Sequence, residues 1–187
     1  MQGAADMGCQ PHQGAGYFAV DEPANIQMYE QFYGVELPHH AGKKIPQMYD
    51  AMLEGTLKAF WVAGEDMAQT DPNTLHVRKA LGQLELFVVQ ELFLTETAKL
   101  AHVVLPASSF LEKSGTFTNG ERRIQRVNAA VEPIEGTRPD GQITCDIMER
   151  YAEKTGRRSG NASKEYHPRW VLEEISRIVP FFAGVKW

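Results

Sequence analysis

The chain has 187 residues, enough for one sizeable core, and that length favours a single domain over residues 1–187. A hydrophobic content of 43% and a charged content of 23% are those of an ordinary globular protein, and the net charge of −5 argues against nucleic acid as the main partner. Cys9 and Cys145 form no CxxC pair, which excludes a disulfide framework and an iron–sulfur cluster held within the chain. The most apolar stretch, "LELFVVQELFL", is too short and broken for membrane insertion.

The first twenty residues are rich in Gly and Gln, show no period and read as loop without a signal-peptide pattern. Helical spacing of Ile26, Tyr29 and Phe32/Tyr33 predicts a helix from Pro23 to Tyr33, stopped by Gly34. A short helix is expected from Pro46 to Glu54. "LKAFWVA" then reads as a strand that ends at Gly64.

Asp71 followed by Pro72 is a helix-start signal, and Val77, Ala80, Leu81 and Leu84 supply the buried face of that helix. "LELFVV" is a continuous apolar run, expected for a strand covered on both faces. A short helix from Thr95 to Leu100 leads into "HVVLP", a third strand that His102 opens as a structural histidine. Strands alternating with helices imply a parallel sheet. Asn119-Gly120 then marks a β-hairpin, on which alternation puts Arg122 and Arg126 on one face and Arg123 on the other. Two helices close the chain. Asp140 caps the first, with Ile143, Ile147 and Tyr151 on its apolar face, and the second presents Val171, Ile175, Ile178 and Val179. Arg157 to Ser163 reads as a mobile loop between them.

Ligands of open parallel sheets bind beyond the carboxyl ends of the strands, where Gly64-Glu65-Asp66 falls. No GxGxxG is present there, and a carboxylate repels phosphate. It accepts hydrogen bonds from ribose hydroxyls or from the N1–H/N2–H₂ edge of guanine. Thr70 could add a hydroxyl contact and Gln90 could read a base edge. The alternative is that Glu65 and Asp66 are solvated loop acids and Gln90 merely ends a strand. Cys9 and His12 have half the spacing of a zinc site and no second pair, and Ser108-Ser109 have no paired base.

The run "VQELFLTETAKLAHVVLPASSFLEKSGTFTNGERRIQRV" resembles the molybdopterin oxidoreductase family, specifically the large (alpha) subunit of molybdenum- or tungsten-dependent formate dehydrogenases. "QGAADMG", "AGEDMAQTD" and "WVLEEISRIVPFFAG" match the same subunit in the same order, so the resemblance covers essentially the whole chain. It implies a Rossmann-like, three-layer α/β domain with a parallel sheet and a β-hairpin insertion, cut from a larger catalytic subunit; the cytoplasmic setting is the default expected of a chain with two unpaired, distant cysteines. It further implies oxidation of formate to carbon dioxide, or the reverse, with two electrons passed through iron–sulfur centres. The domain would hold the guanosine end of a molybdopterin guanine dinucleotide.

Carried over by motif, Gly64, Glu65, Asp66 and Thr70 form the first nucleotide loop, Gln90 contacts the nucleotide from the next strand, and Ala107 approaches through its backbone. The resemblance also brings Arg122 and Arg123 of "NGERR" near the cofactor. The family's CxxC region, its metal-ligating cysteine or selenocysteine and its catalytic arginine are not in this sequence, so no catalytic or metal residue is assigned. The implied partners are the remaining domains of the subunit and electron-transfer subunits. His102 stands where the family usually has Asp. The same domain of a nitrate reductase or quinone-reductase subunit, or a free-standing nucleotide-binding module, are the other readings open to this sequence.

Overall fold

The computed structural model describes residues 2–156 and 165–187. The loop expected from Arg157 to Ser163 lies outside the described residues. The chain forms two compact units interleaved in sequence. One comprises Met1–Gly42, Lys113–Val131 and Gly141–Trp187; the other comprises Lys43–Glu112 and Glu132–Asp140.

The second unit contains the sheet. Helix α3 (Ile45–Leu53) starts after Lys44, whose backbone N–H donates to Gln47 Oε1 at 2.9 Å. For ordering, α1 is Gln2–Asp6 and α2 is Pro23–Tyr33, both in the first unit. Strands β1 (Ala59–Ala63), β2 (Leu86–Glu91) and β3 (Val103–Pro106) lie in the order β1-β2-β3, all parallel. Between β1 and β2 come α4 (Met67–Thr70) and α5 (Thr74–Leu81).

The core of this unit is Tyr49, Met52, Val62, Val77, Ala80, Leu81, Leu84, Phe87 and Val89 with their neighbours. The four apolar positions expected of α5 and its C-terminal turn are all in it. The start of α5 differs from expectation. Asn73, not Asp71, is the cap: it adopts a left-handed conformation (φ 57°) and its Oδ1 accepts from His76 N–H. Asp71 instead accepts a hydrogen bond from the hydroxyl of buried Tyr49. Burial, and then that carboxylate, push the Tyr49 hydroxyl above the ordinary tyrosine range.

The expected helix from Thr95 to Leu100 contracts to a 3₁₀ turn at Ala98–Leu100. β3 is opened by His102 in a specific way. Its backbone N–H donates to Phe87 O (2.9 Å) while its Nδ1 accepts from Phe87 N–H (2.8 Å). The ring supplies a backbone-facing acceptor, which is also what an Asp carboxylate at this position would offer.

The first unit is built from separated segments. α2 ends as expected at Gly34, in the left-handed region (φ 66°), with its N–H on Glu30 O. Its Tyr29 joins Leu172, Ile175, Ile178, Val179 and Phe182 in a second core. Those residues come from α7 (Pro168–Ile178) and the 3₁₀ turn that follows it. The buried stripe of α7 is Leu172, Ile175 and Ile178; Val171 is exposed, one position off the stripe assigned to it from sequence. On α6 (Asp140–Thr155) Ile143 is buried, while Ile147 and Tyr151 are exposed.

The hairpin is present as β4 (Gly115–Thr118) and β5 (Ile124–Val127). Its connection spans residues 119–123 and is not a two-residue turn. Asn119 Oδ1 accepts from the N–H groups of both Glu121 and Arg123, and Arg122 turns left-handed at φ 61°. Arg122 and Arg123 therefore sit in the loop and do not alternate along a strand. The N-terminal segment, read as loop, contains α1. Gly3 of that helix lies against Thr118 of β4, so tertiary packing holds what propensity would not.

Candidate functional site

The candidate site lies at the carboxyl ends of β1 and β2. Gly64 leaves β1 with φ 66°, and its N–H donates to Gln90 O at 2.9 Å. A Cβ built on it would meet nothing within 4 Å, so this strand end opens into free space. Glu65 is exposed, and its Oε1 accepts from Thr70 Oγ1 at 2.8 Å. Thr70 Oγ1 also lies 3.1 Å from the Asp66 carbonyl, so this hydroxyl closes the first turn of α4 onto the loop.

Asp66 has a different environment from its neighbour. Its Oδ1 accepts from both the backbone N–H (2.9 Å) and the hydroxyl (2.7 Å) of Thr97. Thr97 is fully buried, and its Oγ1 in turn accepts from Ala68 N–H at 2.9 Å. The other Asp66 oxygen takes Gln69 Nε2 at 3.2 Å. This side chain joins the loop after β1 to the segment after β2, with each oxygen already bonded. Adjacent carboxylates thus take opposite parts: Glu65 is presented outward and Asp66 fixes the loop that presents it.

Gln90 is also committed. It is 2% exposed, and its Nε2 donates to Asp140 Oδ1 at 2.6 Å, the first residue of α6. Ala107 is buried, with its N–H on Glu91 O and a parallel bridge to Arg138 that lengthens the sheet beyond β3. The structure therefore gathers Gly64, Glu65, Asp66, Thr70 and Gln90 at neighbouring strand ends, with Ala107 following β3. Arg122 and Arg123 belong to the hairpin of the other unit, where the Arg122 guanidinium sits 5.2 Å from the centre of the Tyr17 ring.

Three residues that build this end of the sheet were not assigned to it from sequence. The sequence marks Thr97 only as part of a short helix and Asp140 only as a cap. Glu112 is a buried carboxylate that accepts from the N–H groups of Ser109 (2.7 Å) and Ile134 (2.8 Å), tying the segment after β3 to residues 132–140. Apart from the Ser109–Glu112 bond, which spans three positions, these pairings leave no sign in a sequence because their partners are 22 to 50 residues apart. Beyond the strand ends, Leu92, Phe93 and Leu94 are exposed and add an apolar rim. Among the described residues, no helix is long and apolar enough to cross a membrane, and no group of three or more His, Cys, Asp or Glu is arranged to hold a metal ion.

The chain is similar to known proteins in sequence and in fold. The Bacillus subtilis (strain 168) protein YjgC, provisionally named an oxidoreductase, is 43% identical over 188 aligned residues. A Staphylococcus haemolyticus (strain JCSC1435) protein provisionally named a formate dehydrogenase is 40% identical over the same length. Each alignment takes in 100% of this chain and 18% of the relative, so the chain spans about a fifth of the length of these curated relatives. Among solved structures, acetylene hydratase from Pelobacter acetylenicus superposes with a TM-score of 0.57 at 23% identity, over 89% of this chain and 23% of that one. At that identity the likeness is one of fold. The family model for molybdopterin oxidoreductases matches residues 2–150, most of the chain. The chain belongs to the molybdopterin oxidoreductase family.

Proposed function

We propose that residues 1–187 form part of the catalytic subunit of a molybdenum- or tungsten-dependent formate dehydrogenase and anchor the guanosine end of a molybdopterin guanine dinucleotide. The observation that carries this reading is the exposed Gly64-Glu65 corner at the end of β1, with one Glu65 oxygen held by Thr70 and the strand end open above it. Its carboxylate oxygens are acceptors, which suits hydroxyls and the N–H edge of guanine and not a phosphate. The whole-chain similarity to a relative named for formate dehydrogenase supports the choice of substrate.

In this reading Glu65 binds the nucleoside directly, while Asp66 and Thr70 hold its loop in place. Gln90, oriented by Asp140, and the Ala107 backbone form the floor below. Arg122 and Arg123 lie on the hairpin of the other unit, and their assignment to the cofactor rests on the "NGERR" resemblance alone. When bound, the cofactor supplies the metal-centred two-electron chemistry that interconverts formate and carbon dioxide. The protein residues bind, orient and keep the far end of that group fixed. Iron–sulfur clusters, the metal ligand and the electron-transfer subunits belong to the cytoplasmic assembly beyond these residues.

The test uses the complete polypeptide that contains this sequence. Formate-dependent reduction of a viologen dye is expected, with GMP released on acid hydrolysis of the purified protein. Glu65→Gln should lower the GMP and metal content while leaving the melting temperature nearly unchanged. Asp66→Asn should lower the melting temperature as well, because it weakens the bonds to Thr97. Nitrate-dependent and formate-independent turnover would move the reading to a nitrate reductase of the same family. Absence of any bound guanine nucleotide would overturn the anchoring role.

A further inference from the structure

The connection between β4 and β5 brings the parts of an acyl-transfer site together around one side chain. Asn119 Oδ1 accepts from the backbone N–H groups of Glu121 (3.0 Å) and Arg123 (2.9 Å). The main chain of Asn119 is fixed as well: its N–H donates to Arg123 O (3.1 Å), and its carbonyl accepts from Arg122 N–H (3.0 Å). The next nitrogen is unlike these. Among the described residues the Gly120 N–H has no hydrogen-bond partner. Gly120 is exposed, and a Cβ built on it would meet nothing within 4 Å. Having no side chain, it leaves its nitrogen unshielded beside the Asn119 amide.

Two N–H groups aimed at one carbonyl oxygen are what acyl-transfer sites offer to the negative charge that develops there. Here they draw electron density from Asn119 Cγ, and the attacking nitrogen is in the adjoining residue, so no second reactant has to be collected. We propose that Asn119-Gly120 is a deamidation site activated by the folded hairpin, with water as the co-reactant. The Gly120 nitrogen bonds to Asn119 Cγ and gives up its proton. The Cγ–Nδ2 bond breaks, and Nδ2 takes up a proton and leaves as ammonia, which closes a five-membered cyclic imide. Water then adds to Cγ and breaks its bond to the Gly120 nitrogen, restoring the chain with a carboxylate at position 119. Addition to the Asn119 main-chain carbonyl would instead give an isoaspartyl link. The first route is favoured, because Oδ1 has two N–H partners and the main-chain oxygen has one. No group is oxidised or reduced. A carboxylate at position 119 accepts from the same two N–H groups more strongly than the amide does, so the hairpin survives the reaction. The loop, with one acid and two arginines, loses its net positive charge. The inference rests on the hairpin and on no part of the functional reading.

The test holds the complete polypeptide at neutral pH in water enriched in heavy oxygen and maps its peptides by mass spectrometry. Electron-transfer fragmentation separates aspartyl from isoaspartyl product. Label should enter at Asn119 several-fold faster than in a free peptide of residues 115–127, and with a larger aspartyl share. Asn25, Asn73 and Asn128, which precede Ile26, Thr74 and Ala129, are internal controls that should stay unlabelled over the same period. Gly120→Ala places a methyl group in open space at a φ outside the left-handed region. It should slow labelling several-fold at an unchanged melting temperature. A rate in the folded chain at or below that of the peptide overturns the proposal, since the hydrogen bonds would then clamp the amide instead of activating it. A Gly120→Ala variant that reacts as fast as the parent overturns it too, and an aspartyl share no larger than the peptide's overturns the route assigned to water.

Discussion

The two cores of the molecule are assembled in opposite ways. The core of the sheet unit draws on one stretch, from Tyr49 to Ala98, in which each strand and helix packs against a near neighbour in sequence. The other core joins Tyr29 of α2 to Leu172, Ile175 and Phe182, and Tyr33 Oη donates to Glu174 across 141 positions. A contiguous core leaves its pattern in the sequence. A core stitched from distant segments shows only half-patterns, each lacking the partner that would make sense of it.

The largest expected effect tests whether these cores are separate. Phe87 is fully buried, stacked 6.3 Å from Phe60. Phe87→Ala should cost about 3–5 kcal/mol, measured by urea unfolding. Amide exchange should quicken through β1, β2 and α5, while α7 keeps its protection. Equal loss in α7 would break the comparison. Next in size is Gly16→Ala in the other core. Gly16 has φ 74°, and an added Cβ would lie 2.3 Å from Val179 Cγ1. Overpacking there should cost about 1–3 kcal/mol, with backbone strain in addition. Val179→Ala in the same chain should recover part of the loss, and strict additivity of the two changes would exclude the clash as the cause.

The smallest effect is one of pH. Burial, and then Glu174, raise the Tyr33 hydroxyl to about 12 from the ordinary 10. A folded-state pKa above the unfolded one means that the folded chain holds its proton longer. The contribution is therefore complete below pH 10 and is lost as pH climbs through about 12. Tyr33→Phe should flatten the fall in stability over that window, and a slope unchanged by the substitution would rule Tyr33 out as its source. Tyr49→Phe makes the matching test in the sheet unit, where Asp71 plays the part of Glu174.

What could be read from the sequence follows the same division. The α2 stop at Gly34, the three parallel strands and the buried face of α5 were all legible, because period and punctuation are local properties. The cap at Asn73 was masked by the stronger-looking Asp71-Pro72, whose carboxylate was claimed by Tyr49 from an earlier helix. The stripe of α7 slipped by one residue at Val171 because nothing nearby fixed its partner. At the candidate site, the location of Gly64-Glu65-Asp66 was readable from the strand end. The division of labour between the two carboxylates was not, since it depends on Thr97, 31 positions away.

The interleaving of the two units also bears on how the chain is made. A ribosome releases every segment of the sheet unit by residue 140, and that unit can close while synthesis continues. Tyr29 of α2, by contrast, emerges long before Leu172, a wait of roughly 7–30 s at about 5–20 residues per second. During that interval the apolar side of α2 has only the N-terminal segment around Ala15 against it and lacks the cover of α7, which makes it the natural foothold for a nascent-chain chaperone.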